Sequence, residues 1–177
     1  MNSAALFFNW SAMSSVAEAT AAIAVVASLI YLGKQIRQNS RAVRATIEQE
    51  SAKLINHSMM TIAASEELSK LYFQGSEDFL SLAPTEKARM LMLLTGITRT
   101  FEVIHRQYQT GHISPELWTG YDFLMKAVIQ TDVFTHFWSV RQNTFNVAFK
   151  AYVANLDFSD APAQPSAIFE TRRTGDQ

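Results

Sequence analysis

Apolar positions recur at helical spacing along almost the whole chain, and one stretch departs from that rhythm by being apolar on every side. From Ala19 to Gly33, "ATAAIAVVASLIYLG", no residue is charged. An all-round apolar helix is either buried in protein or set in lipid. Its 15 residues cover about 22 Å at the helical rise, short of a hydrocarbon core of about 30 Å. Starting at Met13 gives 21 residues and about 31 Å, and takes in Glu18. A carboxylate one turn inside the edge can reach the headgroups, take up a proton or find a partner.

Beyond Gly33 no proline or turn cluster stops the helix, which is expected to run on as a stem to about Met60. Within it Ile36, Val43, Ile47 and Leu54 form a broken stripe at 7-4-7 spacing, suited to packing on a downstream bundle or on a second copy. Ser65 before Glu66 and Glu67 reads as a cap with a complementary first turn, and that helix is expected to end near Gly75. Ser76 with Glu77 and Asp78 starts a short helical turn. Pro84 then takes a first-turn position with Glu86 close behind, although Ala83 is a poor cap. Met90, Leu94, Ile97, Phe101, Ile104 and Tyr108 follow a 4-3-4-3-4 rhythm, the apolar face of a long helix that Gly111 ends. Ser114 and Pro115 open the next, with Trp118, Tyr121, Leu124 or Met125, and Val128 on its buried face. "VFTHFWSVR" and "NVAFKAYVANL" supply two short helices after Asp132.

No alternating strand pattern and no internal repeat interrupts this series, so the fold expected is all-α. Residues 1–12 form a short external N-terminus, 13–33 a transmembrane helix, 34–75 a juxtamembrane helical stem, 76–156 a cytoplasmic helical bundle and 157–177 a flexible tail.

Charge gives the span a direction. No lysine or arginine precedes residue 34; Lys34, Arg37, Arg41 and Arg44 then arrive with no acidic residue among them. The positive-inside rule keeps that side in the cytoplasm and the N-terminus outside, and the same asymmetry counts against a cleavable signal peptide. Trp10, Phe7, Phe8 and Tyr31 sit where interfacial aromatics belong. The four cations step 3-4-3 into one stripe. Each gains about 1 kcal/mol from anionic lipid if it lies near the surface; otherwise the stripe is a solvated face that only sets topology. The competing reading makes this the central helix of a soluble bundle, for which its alanine-rich character and Glu18 speak. Ala17, Ala21, Ala24 and Ser28 make a seam of small side chains, and Ile23, Val26 and Ile30 lie away from it. Such a seam lets helix backbones approach closely, which suits a homo-oligomer or another membrane protein's span.

Composition narrows the chemistry. With 48% hydrophobic residues in 177, the chain has material for a core. A net charge of −1 argues against a nucleic-acid partner. Zero cysteines exclude disulfides, thiolate zinc sites and a cysteine nucleophile. "FEVIHRQYQTGH" puts Glu102 and His105 on one helix face, as in four-helix di-iron proteins, with His112 beyond. That site needs a second Glu-x-x-His, which the chain lacks, so the expectation here is a partly exposed surface with an internal Glu–His or Glu–Arg contact. His57 and His136 stand alone as surface or satisfied core residues. No Gly-x-Ser-x-Gly elbow or phosphate-cradling glycine loop is present. No catalytic, metal or cofactor-binding residue is therefore assigned, and no cofactor. Phe134, Phe137, Trp138, Phe145, Phe149 and Tyr152 are spaced as the core of a helical hairpin; the functional alternative is an apolar pocket or partner groove.

A tryptophan before an apolar span ending "SLIYLGKQIRQNSRAVRAT", the helix "EKARMLMLLTGITRTFEVIHRQYQTGHISPELW", then "FW" with an arginine and "F...F.AYV" together resemble a loose group of uncharacterised proteobacterial proteins. These have one N-terminal membrane span and a helical cytoplasmic region. The resemblance covers residues 10 to 156, with "YLGKQIRQN" its most distinctive element; it implies topology and carries over no functional residue. The function expected is non-catalytic: an oligomeric scaffold or accessory subunit of a membrane complex. The alternatives are a tethered sensor or regulator that binds an apolar ligand or partner helix, and a soluble helical bundle.

Overall fold

The computed structural model describes residues 10–159, with side chains from residue 13. Most of the expected external N-terminus and flexible tail, and with them Phe7 and Phe8, lie outside the described residues. The fold is all-α, with no strand among the described residues. Helix α1 spans Trp10–Ala63, α2 Glu66–Glu77, α3 Pro84–Gln109, α4 Pro115–Ile129, α5 Asp132–Arg141 and α6 Val147–Ala154; single 3-10 turns at Phe79–Ser81 and Gln142–Thr144 join α2 to α3 and α5 to α6.

The helix boundaries have local causes. Ser65, Ser114, Thr131 and Asn146 each accept, through a side-chain oxygen, the backbone N–H three residues on, satisfying a donor that the first turn leaves open. Ala83 has no such oxygen; there Glu86 reaches back and its carboxylate accepts the Ala83 N–H at 2.8 Å. Gly111, at φ +74°, ends α3 in the left-handed region that glycine enters without strain. Gly75 is not the stop expected for α2, which continues to Glu77. It marks a close approach instead: a Cβ there would lie 3.1 Å from Leu82 Cδ1 and 3.3 Å from Met90 Cγ.

The chain divides between Ala45 and Thr46 into two compact units. The first is the N-terminal part of α1, whose described side chains are all exposed. The second holds the rest of α1 and the other five helices. Helix α3 lies at its centre, in contact with α2, α4, α5 and α6. Its rhythm is the expected one: Met90, Leu94, Ile97, Phe101 and Ile104 are buried, and Tyr108 packs against them. The stripe expected along the stem is displaced. Ile36, Val43 and Leu54 are exposed, whereas Ile47, Ser51, Ile55 and Ile62 turn inward. Leu71 and Tyr72 of α2 also lie in this core, and Glu48 of α1 accepts the Ser114 N–H at the start of α4 at 3.2 Å.

Candidate functional site

The N-terminal unit is one helix long and apolar enough to cross a membrane, and its most apolar window has no buried residue. Ile23, Val25, Val26, Leu29, Ile30 and Leu32 are each more than half exposed. At about 100° per residue they cover one half of the helix circumference, and the small side chains of Ala17, Ala21, Ala24 and Ser28 lie on the other half. The polar groups in this stretch are largely turned inward on the backbone. Thr20 Oγ1 donates to the Val16 carbonyl and Ser28 Oγ to that of Ala24, both at 2.8 Å, which hides hydroxyls that hydrocarbon would otherwise strand. Glu18 is exposed and makes no hydrogen bond or ion pair among the described residues. The seam residues Ala17, Ala21, Ala24 and Ser28 are exposed too. So are Lys34, Arg37, Arg41 and Arg44, none of which has an ion-pair partner among the described residues.

In the second unit an apolar groove of about 350 Å³ opens between the end of α1 and helices α2, α3 and α4. Ile97, Phe101, Ala127 and Val128 contribute its inner wall, and Met59, Met60 and Phe73 its exposed lips. Among the described residues that line it none is charged. The two serine hydroxyls there are already committed, Ser58 to the Leu54 carbonyl and Ser69 to the Ile62 carbonyl. Tyr72 is 9% exposed, and its hydroxyl has no hydrogen bond among the described residues; burial pushes that hydroxyl's pKa up.

The Glu102–His105 pair is buried, not the partly exposed surface expected from its charge: the two residues are 7% and 4% exposed. The physical reason is the helix that docks on them. Glu102 Oε1 accepts both the backbone N–H of Asn146 at 2.7 Å and its side-chain amide at 2.8 Å, while the other carboxylate oxygen pairs with Arg99. The guanidinium of Arg99 lies 4.4 Å from the centre of the Phe145 ring and donates to the Thr144 carbonyl. The internal Glu–Arg contact was legible; its burial by α6 was not.

His105 is enclosed by the rings of Tyr152, Trp118 and Phe149, at 4.6, 5.6 and 5.7 Å between centres. Desolvation lowers its pKa, and Asp122 partly opposes the shift. Asp122 itself accepts from the Tyr152 hydroxyl and pairs with the nearly buried Lys126 at 2.9 Å. These groups satisfy one another, and none of His105, Asp122, Lys126 or Tyr152 lines the apolar groove. His112 pairs with the Thr110 hydroxyl, His57 is exposed and His136 meets the Phe79 ring. Among the described residues no three His, Asp or Glu side chains converge as a metal site. The aromatic residues of α5 and α6 are core: Phe134, Phe137, Phe145 and Phe149 are buried, with Trp138 and Tyr152 packed on them. The groove lies elsewhere, and sequence periodicity missed it because it draws only two to six residues from each of four helices.

The architecture is thus that of an all-α protein with an N-terminal helix of membrane-spanning character and a six-helix packed region. No protein-family model, curated protein or solved structure matches the chain.

Proposed function

We propose that this is a single-pass protein of the bacterial inner membrane, with its N-terminus outside and a non-catalytic helical module in the cytoplasm. It serves as an oligomeric scaffold or as an accessory subunit of a membrane complex. The observation that carries the reading is the exposed helix from Met13 to Gly33. An apolar surface that large, uncharged all round from Ala19 to Gly33, is matched by lipid rather than water. The hydroxyls bonded back onto the helix suit that environment, and the cations from Lys34 onward, free of acidic partners, orient it. The seam of Ala17, Ala21, Ala24 and Ser28 is the face on which a second copy or another span would pack. The mutual satisfaction of Glu102 with Arg99 and Asn146, and of Asp122 with Lys126 and Tyr152, favours a structural role for those groups.

Because the chain has no cysteine, single cysteines report topology cleanly. A membrane-impermeant maleimide should label Asn2→Cys in intact cells, and Gln109→Cys only after the inner membrane is permeabilised. The reverse pattern, or equal labelling of both without permeabilisation, would overturn the topology.

A further inference from the structure

The apolar groove in the second unit has the features of a ligand site, and the chemistry of its lining selects the ligand. Its volume of about 350 Å³ is at the lower end of the range for small-molecule pockets. At roughly 30 Å³ for a water-sized group, it takes about a dozen methylene-sized units. Among the described lining residues none carries a charge, so a carboxylate or ammonium inside would be desolvated without a partner, at a cost no apolar contact offsets. The two serine hydrogens are spent on backbone carbonyls. That leaves one uncommitted donor, the Tyr72 hydroxyl, in a residue more than nine-tenths buried. The hydroxyl oxygen keeps some access to solvent, so a guest's acceptor can take the place of water on it, and tyrosine at binding sites commonly offers an apolar body with one polar end. The lips, Met59, Met60 and Phe73, are 42%, 64% and 40% exposed. Methionine there adds a surface that adapts to the shape of an apolar guest.

We infer that this groove binds a neutral, mainly hydrocarbon molecule of about a dozen carbons that bears one hydrogen-bond-accepting oxygen, which receives the Tyr72 hydroxyl. This site stands on the second unit alone and does not depend on the membrane reading.

The test uses the full chain in lipid nanodiscs with photoactivatable twelve-carbon probes: a neutral ketone, the corresponding alkane and the corresponding carboxylate. Crosslinks are mapped by mass spectrometry. The ketone should label residues of the groove, Met59 and Phe73 foremost, and the carboxylate at neutral pH should label them at least 10-fold less. Ala63→Trp places a large ring at an exposed rim position and should reduce groove labelling by the ketone at least 10-fold with an unchanged circular dichroism spectrum. Tyr72→Phe should lower ketone labelling several-fold, the worth of one hydrogen bond, and leave alkane labelling unchanged. Labelling spread without preference, or insensitive to Ala63→Trp, overturns the site. Equal response of ketone and alkane to Tyr72→Phe, or carboxylate labelling equal to that of the ketone, overturns the ligand class. A ketone crosslink confined to residues 13–33 indicates lipid partitioning and also overturns the site; the maleimide pattern reads the topology separately.

Discussion

His105 shows how burial alone turns a titratable side chain into a pH-dependent element of stability. Enclosure by three rings lowers its pKa below the ordinary 6.5, with Asp122 opposing. As the pH falls, the unfolded chain takes up this proton first, so the stabilising difference is complete above about 6.5 and declines below it until the folded pKa is passed. The thermal midpoint in mild detergent is expected to fall between pH 7.5 and pH 5.5, and His105→Gln should remove most of that slope; an identical slope in the variant would contradict the assignment. Thr98 is a second isolated cost. It is 2% exposed, and its hydroxyl has no hydrogen-bond partner. Valine has nearly the same shape without the stranded oxygen, so Thr98→Val should stabilise by about 1 kcal/mol, a rise of about 3 °C in the midpoint. A lower midpoint would mean that the hydroxyl is satisfied. Neither residue could be located this way from sequence, because threonine and histidine on a helix are compatible with either face.

At the scale of elements, amphipathic rhythm was the readable signal and long-range polar pairing the hidden one. The face of α3 from Met90 to Ile104 and the phenylalanines of α5 and α6 are core, as their spacing predicts, because each helix buries one side against its neighbours. Along α1 the same logic selected Ile36, Val43, Ile47 and Leu54; Ile47 packs on the core, and the other three are exposed. A helix that packs only near its C-terminal end leaves most of any long stripe without a partner. Glu102 looked like surface because charge usually is; only the docking of Asn146, distant in sequence, makes its burial affordable in hydrogen-bond terms. Asn146 has two duties there, capping α6 through the Phe149 N–H at 2.8 Å and donating twice to Glu102. Asn146→Ala keeps only the backbone donor, losing the cap and the amide hydrogen bond to the carboxylate. It should cost about 2 kcal/mol, measured as a lower midpoint. An unchanged midpoint would show that the turn at Gln142–Thr144 and Arg99 hold α6 in place without it.

For the whole molecule, the two units have opposite relations to solvent. From Thr46 onward the chain builds a conventional core, closed by caps and by the Arg99–Glu102–Asn146 and Asp122–Lys126–Tyr152 groups. Before it, an apolar helix is exposed on all sides. On the proposed reading a membrane resolves that contrast, with lipid around residues 13–33 and water around the second unit. The apolar run was plain in the sequence, its length alone was ambiguous, and the charge asymmetry favoured a span over a buried soluble helix; the exposure of every described side chain from Met13 to Ala45 is what the structure adds. The central claim is therefore that residues 13–33 lie in a bilayer. Alkaline carbonate extraction of native membranes, followed by high-speed centrifugation, measures it most directly. The account predicts that the full chain stays in the pellet and is released only by detergent; recovery in the carbonate supernatant, or in the soluble fraction after lysis, would contradict it.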